Sequence, residues 1–77
     1  MDLNEFITNF AEQFDEIDAS EIQATTIFKD LDEWSSMIAL SVIAMIDAEY
    51  DVQVKGTDIR DSNTVEDLFN KVKTIKG

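Results

Sequence analysis

Helix-breaking residues are nearly absent from this sequence. The chain of 77 residues contains no proline and two glycines. Because one of these is the terminal Gly77, Gly56 is the only strong breaker inside the chain. This composition favours a structure dominated by helices. The length allows a single small domain, which we place at residues 1–77.

The first part of the chain predicts an amphipathic helix, because hydrophobic residues recur every three or four positions with polar residues between them. Asp2, followed by Glu5, can cap its start. The hydrophobic stripe consists of Leu3, Phe6, Ile7, Phe10, Phe14 and Ile17. From Asp18 to Glu33 no such period persists, and we predict a long ordered loop that can contain a short helical turn.

The segment from Ser36 to Tyr50 predicts the central helix, although it is apolar on almost every side. The tightest stripe, expected to face the core, consists of Ala39, Ile43, Ile46 and Tyr50. The opposite side carries Ile38, Ser41, Met45 and Ala48. Large apolar residues that are exposed to solvent more often belong to a contact surface than lack a function. We therefore interpret this opposite side as a partner contact, with Ile38 and Met45 projecting outward. The alternative is that these two side chains fold back over the long loop and enlarge the core.

The last third of the chain predicts a short helix followed by a longer one. Thr57 can cap a short turn through Asp61, and Thr64 with Asp67 three residues later resembles a capping box. The buried face of the last helix is predicted to comprise Val65, Leu68, Phe69, Val72 and Ile75. The predicted fold class is all-α: a four-helix bundle with three long helices and one short helix between the second and the last.

Charge and residue types argue against several functional classes. The chain has 6 Lys and Arg against 17 Asp and Glu, a net charge of -11. Such a surface repels phosphate backbones and anionic headgroups, so we expect no nucleic-acid or membrane partner and favour basic protein surfaces. The sequence also lacks cysteine and histidine, and therefore a thiol nucleophile and the commonest general base. We expect no catalytic residues and no enzyme activity.

Metal binding and membrane insertion are not expected either. Asp30 and Asp32 begin like a calcium-binding loop, but Ser35 replaces the required glycine. The longest apolar stretch, residues 37–46, is far below the roughly 20 residues of a membrane span. The N-terminal sequence is acidic and amphipathic, unlike a secretory or transit peptide. A cytoplasmic monomer without a metal site is the expectation.

Ser35 and Ser36 lie at the start of the most hydrophobic predicted helix. A helix N-terminus presents unpaired N–H groups and a partial positive charge, which favour a phosphodiester attached to a serine there. Only carboxylates lie nearby in the sequence, so another enzyme would have to deprotonate and modify that serine. The alternative is that one of the two serines is simply the N-cap of the helix.

The order of these segments resembles the acyl carrier protein family, including the carrier domains of polyketide and nonribosomal peptide synthesis, over essentially the full length. The resemblance rests on Phe28-Lys29-Asp30-Leu31, Ser36-Met37, Ala48-Glu49-Tyr50-Asp51-Val52 and Thr64-Val65-Glu66-Asp67-Leu68. In that family a serine within Asp-Ser-Leu receives 4'-phosphopantetheine from coenzyme A through a magnesium-dependent transferase. Ser36 falls on that serine, Ser35 stands where the family usually has aspartate, and Met37 replaces leucine.

The resemblance implies a carrier that is not itself an enzyme. Ser36 is expected to bear 4'-phosphopantetheine, whose thiol holds acyl intermediates as thioesters for enzymes of fatty-acid, lipid or polyketide-like biosynthesis. The implied partners are a phosphopantetheinyl transferase and acyl-transferring and condensing enzymes. The residues expected to contact them are Ser35, Met37, Ile38, Ser41, Met45 and Ala48.

Two alternatives remain open for the function, and one for Trp34. The chain could carry aminoacyl or peptidyl groups, or it could be an unmodified carrier-like interaction domain that has lost the arm. Trp34 is interpreted as a buried anchor for the long loop, the alternative being a contact beside the arm.

Overall fold

The computed structural model describes residues 2–77, which fold into four α-helices and two short 3-10 turns. The helices are α1 (Leu3–Ala11), α2 (Ser36–Tyr50), α3 (Gly56–Arg60) and α4 (Val65–Lys76). The two turns, Ala19–Glu21 and Phe28–Asp30, lie in the connection between α1 and α2. Within the described range no strand forms, and the only β-type pairing is an isolated bridge between Ile27 and Thr64. The predicted all-α bundle with its short third helix is confirmed.

Helix α1 is shorter than its hydrophobic stripe. Asp2 is the N-cap, and its carboxylate accepts a hydrogen bond from the N–H of Asn4 at 3.1 Å. The helix ends at Ala11, so Phe14 and Ile17 lie beyond it in the connection. Phe14 is nevertheless buried and Ile17 half-buried. The hydrophobic stripe therefore extends beyond the helix, because the chain that follows α1 also turns Phe14 and Ile17 toward the core.

Aromatic rings from α1, α2, α4 and the connection form much of the core. Phe6 and Phe69 meet edge to face with ring centroids 5.4 Å apart, and Phe28 and Trp34 do so at 4.9 Å. Pairs in this geometry contribute about 0.5 to 1.5 kcal/mol beyond the area they bury. The buried hydrophobic residues are Phe6, Phe10, Ala11, Phe14, Ile22, Phe28, Val42, Met45, Ile46, Tyr50, Val52, Val54, Ile59, Val65, Leu68, Phe69 and Val72.

The prediction that the large residues Ile38 and Met45 project outward from α2 is wrong. Met45 is only 7% exposed and belongs to the core, and Ile38 packs against the core as a half-buried residue. Ser41 is half-buried, and Ala48 alone of the four is exposed. The error arose because α2 is apolar all round, so its sequence pattern carries little information about which side turns inward.

The buried face of α2 consists of Val42, Met45, Ile46 and Tyr50. Two members of the predicted stripe, Ile46 and Tyr50, are confirmed, whereas Ala39 and Ile43 are half-buried. The hydroxyl of Tyr50 accepts a hydrogen bond from Nδ2 of Asn9 in α1 at 3.0 Å. Burial raises the pKa of Tyr50, and the bond to Asn9 satisfies the polar end of its ring. This contact joins the end of α2 to α1 and agrees with the inward orientation of Tyr50.

Helix α3 begins earlier than predicted, and Thr57 is not its cap. Gly56 is the first helical residue, and the N–H of the preceding Lys55 donates to the carboxylate of Asp58 at 2.9 Å. This bond closes the turn that Thr57 was expected to close. Ile59 is the buried residue of α3 and anchors it against the rest of the bundle.

Helix α4 begins with the predicted capping box. Oγ1 of Thr64 accepts from the N–H of Asp67 at 3.0 Å, and Oδ2 of Asp67 accepts from the N–H of Thr64 at 3.1 Å. The predicted buried face is confirmed except for Ile75, which is 44% exposed. In the last turn, Nζ of Lys76 donates to the carbonyl of Tyr50 at 2.8 Å and joins the C-terminal ends of α2 and α4.

Asp67→Ala should lower the melting temperature at neutral pH, and this difference should shrink in acid. Hydrogen bonds from the N–H groups of Thr64 and Asn63 hold the pKa of Asp67 below its ordinary value of 3.8. A lowered folded-state pKa stabilises the protein above pH 3.8, and that stabilisation is lost as the pH falls through the folded value. Thermal unfolding of both proteins between neutral pH and pH 3 measures the difference.

Glu66→Ala is the matched control for this experiment. Glu66 lies in the same first turn of α4 and is exposed, so its removal changes the charge near the helix N-terminus without removing the capping box. We expect a smaller effect from this substitution. A melting-temperature difference for Asp67→Ala that stays constant well below pH 3.8 would contradict the ionic contribution of the cap.

Candidate functional site

The two serines at the start of α2 have different positions in the helix. Ser35 is the N-cap, and its Oγ accepts a hydrogen bond from the N–H of Ile38 at 3.2 Å. Ser36 is the first helical residue and is exposed. The N-cap interpretation is therefore confirmed for Ser35. The hydroxyl group of Ser36 takes no part in this cap bond, and Ser36 itself belongs to the first turn of a fifteen-residue helix, whose N–H groups lack partners within the helix.

Ser36 lies on a groove of about 610 Å³ between α2 and α3. The groove is lined by Lys29, Trp34, Ser35, Ser36, Ala39, Leu40, Ile43, Gly56, Ile59 and Arg60. Most of these side chains are apolar, and the charged ones are two cations, Lys29 and Arg60. No carboxylate lines the groove, although the chain contains 17 acidic residues. The groove beside Ser36 therefore suits an apolar ligand that carries negative charge.

A second groove of about 370 Å³ lies along the same side of α2. It is lined by Leu40, Ile43, Ala44, Asp47, Gln53, Val54 and Lys55. Leu40 and Ile43 line both grooves, so the two are adjacent. Leu40 is 65% exposed and forms an apolar ridge between them.

The Trp34 side chain packs against the core and also lines the groove beside Ser36. Its ring stacks on Phe10 with the centroids 6.4 Å apart and meets Phe28 edge to face at 4.9 Å. The residue is half-buried, and it also lines the groove beside Ser36. The prediction that Trp34 anchors the long connection is therefore consistent with these contacts, and the same side chain forms part of the groove wall.

Lys29 links the connection to the end of α3. Its Nζ donates a hydrogen bond to the backbone carbonyl of Arg60 and lies 5.8 Å from the centroid of the Phe28 ring. This contact holds a positive charge at the groove and brings the connection against α3.

Glu33 holds the segment before Ser35 in place. Its two carboxylate oxygens accept the N–H groups of Asp15 at 2.6 Å and of Glu16 at 3.1 Å, just after α1. Glu33 is half-buried. In the sequence it is one more acid in an acidic stretch, and nothing in its local pattern indicates a partner 17 or 18 residues away.

Glu33→Gln should lower the melting temperature more than Asp32→Asn does. The amide of glutamine has one oxygen, so it can accept one of the two N–H groups and would turn its own N–H₂ toward the other. We expect a loss of about 1 to 2 kcal/mol, or roughly 5 °C or more for a domain of this size. Asp32 is exposed, and its substitution makes the same change in charge. Equal melting temperatures would show that the two bonds to Glu33 do not stabilise the fold.

The predicted partner-contact residues do not form one surface. Ser35 and Met37 are exposed beside Ser36, and Ala48 is exposed near the other end of α2. Ile38 and Met45 turn inward instead, and Ser41 is half-buried.

Sequence reasoning missed Leu40, Lys29 and Arg60 as parts of the site. Leu40 follows Met37 by three residues, and this helical spacing is the sequence signal that points to an outward stripe of these two residues. No comparable local signal exists for Lys29 and Arg60, which meet only in the folded chain.

Other features of the described residues bear on binding. Among residues 2–77, no group of three or more Asp or Glu side chains is placed to hold a metal ion. None of the helices in this range has the length and apolar character needed to cross a membrane. Comparisons with protein-family models, curated proteins and solved structures find no match for this chain.

Proposed function

We propose that this protein is an acyl carrier protein and that Ser36 bears a 4'-phosphopantetheine arm. The observation that carries this proposal is the placement of Ser36. Its hydroxyl is exposed at the first residue of α2 and adjoins an apolar groove, whereas the neighbouring Ser35 hydroxyl is used to cap the helix. The resemblance of the sequence to acyl carrier proteins selects the same serine.

The electrostatic surroundings of Ser36 suit a phosphodiester. The first turn of α2 contains no acidic residue, so no carboxylate within that turn competes for its N–H groups and its helix dipole. Lys29 and Arg60 line the same groove and add two positive charges. These features favour a negatively charged group on the Ser36 side chain in a protein whose net charge is otherwise -11.

Attachment of the arm requires a second enzyme. A bond forms between Oγ of Ser36 and the phosphorus that bears the pantetheine of coenzyme A, the bond from that phosphorus to the nucleotide breaks, and 3',5'-ADP leaves. The serine proton needs a base, and the groove lining contains neither carboxylate nor histidine. A phosphopantetheinyl transferase would supply this base together with magnesium.

The attached group would supply the thiol that this cysteine-free chain lacks. In this proposal the protein holds acyl intermediates as thioesters and delivers them to enzymes of fatty-acid, lipid or polyketide-like biosynthesis in the cytoplasm. The apolar side chains of the groove beside Ser36 offer contacts to an acyl chain or to the arm itself. In this proposal the chain holds and presents the acyl group, and its partner enzymes catalyse the reactions of that group.

Intact mass spectrometry tests the proposal directly. The purified protein is incubated with coenzyme A, magnesium and a transferase of broad specificity. We expect its mass to increase by one phosphopantetheine, and no increase when coenzyme A is omitted. If the mass stays unchanged while a known carrier protein in the same tube is fully converted, the protein is an unmodified interaction domain instead.

A further inference from the structure

We propose that the exposed side of α2, together with α3, is a docking surface for a protein helix that carries acidic residues around an apolar stripe. We call this surface the α2/α3 face and define it by Met37, Leu40, Lys29, Lys55 and Arg60. The inference goes beyond the carrier function, because it concerns the unmodified chain and the partner's charge. It also differs from the expectation, based on net charge, of a basic partner surface.

The apolar part of the face contains the two most exposed large hydrophobic side chains among the described residues. Met37 is 79% exposed and Leu40 65%, compared with 49% for Ile27 and 44% for Ile75. Met37 and Leu40 lie one helical turn apart on α2. Large apolar side chains grouped in this way mark interaction sites, and methionine adapts to irregular partner surfaces.

The charged residues that line the two grooves beside Leu40 are mainly basic, unlike those of the whole protein. Half of the six basic residues, namely Lys29, Lys55 and Arg60, line the two grooves on either side of this ridge. The same two grooves contain one carboxylate, that of Asp47. In the chain as a whole, acidic residues outnumber basic ones 17 to 6. The lining of the two grooves is therefore basic and complementary to an acidic contact, although Asp58 and the exposed Asp61 lie beside Arg60.

The positions of the three cations indicate which arrangement of acidic residues on a partner would fit this face. Lys55 precedes the first residue of α3 and Arg60 is its last residue, so the two exposed side chains lie at opposite ends of this helix. The third cation, Lys29, is held by its bond to the Arg60 carbonyl. An amphipathic helix could place its apolar stripe on Leu40 and Met37 and pair the Glu or Asp residues at its edges with these cations.

The test uses two synthetic amphipathic helices with the same leucine stripe, one edged by glutamate and the other by lysine. Each is titrated into the unmodified protein labelled with ¹⁵N, and amide shifts are followed by NMR. We expect the glutamate-edged peptide to shift amides of α2 and α3 and to bind this face at least tenfold more tightly than the lysine-edged peptide.

A pair of double variants separates the local charges from net charge. Lys55→Glu with Arg60→Glu should weaken binding of the glutamate-edged peptide by about tenfold or more. Lys71→Glu with Lys73→Glu makes the same change in net charge on α4 and should leave the affinity within about twofold. Circular dichroism of both variants checks that the helices remain folded.

Several results would overturn the inference. Equal weakening by the two double variants would attribute binding to net charge alone, and preferential binding of the lysine-edged peptide would assign the face to a basic partner. Binding of neither peptide at α2 and α3 would remove the face as a helix-docking site. Concentration-dependent shifts at Met37 and Leu40 without peptide would assign it to a second copy of this chain. Because every measurement uses the unmodified protein, none depends on whether Ser36 carries the arm.

Discussion

Ser36→Ala should abolish phosphopantetheine addition completely, whereas Ser35→Ala should still be modified. Ser36 provides the exposed hydroxyl at the start of α2, and its removal leaves no oxygen to bond to phosphorus at that position. The Ser35 hydroxyl instead accepts the N–H of Ile38. Intact mass spectrometry after treatment with transferase, coenzyme A and magnesium measures both variants, and fragmentation of the modified wild-type protein locates the adduct.

Variants of Ser35 provide the controls. Ser35→Ala should cost about 1 kcal/mol through loss of the helix cap, so a slower reaction of this variant has to be compared with its melting temperature. Ser35→Asp keeps a capping side chain and introduces the aspartate usual in acyl carrier proteins, and we expect faster modification. An adduct on Ser35 would contradict the assignment of Ser36. A rate unchanged or lowered in Ser35→Asp would contradict the expectation that aspartate at this position favours the transferase.

The features that could be predicted from the sequence depend on residues close together in the chain. The capping box of α4 joins Thr64 to Asp67, and the N-cap of α2 joins Ser35 to Ile38. Each depends on backbone N–H groups three residues away, so a local pattern of four residues is sufficient evidence. The local pattern indicated both serines at the start of α2, and the resemblance to acyl carrier proteins over the whole chain selected Ser36.

The side of α2 that faces the core could not be predicted from such local patterns. Its sequence is hydrophobic on nearly all sides, so helical periodicity allowed Met45 to face outward as readily as Leu40. The actual rotation involves distant partners, such as the hydrogen bond between Asn9 and Tyr50. The cations of the groove are likewise joined by a contact between Lys29 and Arg60, 31 residues apart. Such pairs require the folded chain.

Met45→Glu should unfold the protein or lower its melting temperature by roughly 15 °C or more. Met45 is 7% exposed and lies in the hydrophobic core, so a carboxylate at this position would be buried without a partner. The expected cost is about 3 kcal/mol or more. A chain of 77 residues has a total stability on the order of 4 to 12 kcal/mol. The substitution therefore removes a large fraction of it.

Leu40→Glu is the matched control, because it introduces the same charge five residues earlier on the same helix. Leu40 is 65% exposed, so we expect a change within about 0.5 kcal/mol. Met45→Leu keeps the hydrophobic volume and should cost less than about 1.5 kcal/mol. Thermal unfolding followed by circular dichroism measures all three variants. If Met45→Glu melted near the wild type while Leu40→Glu unfolded, α2 would have the opposite rotation, and Leu40 would belong to the core instead of the docking surface.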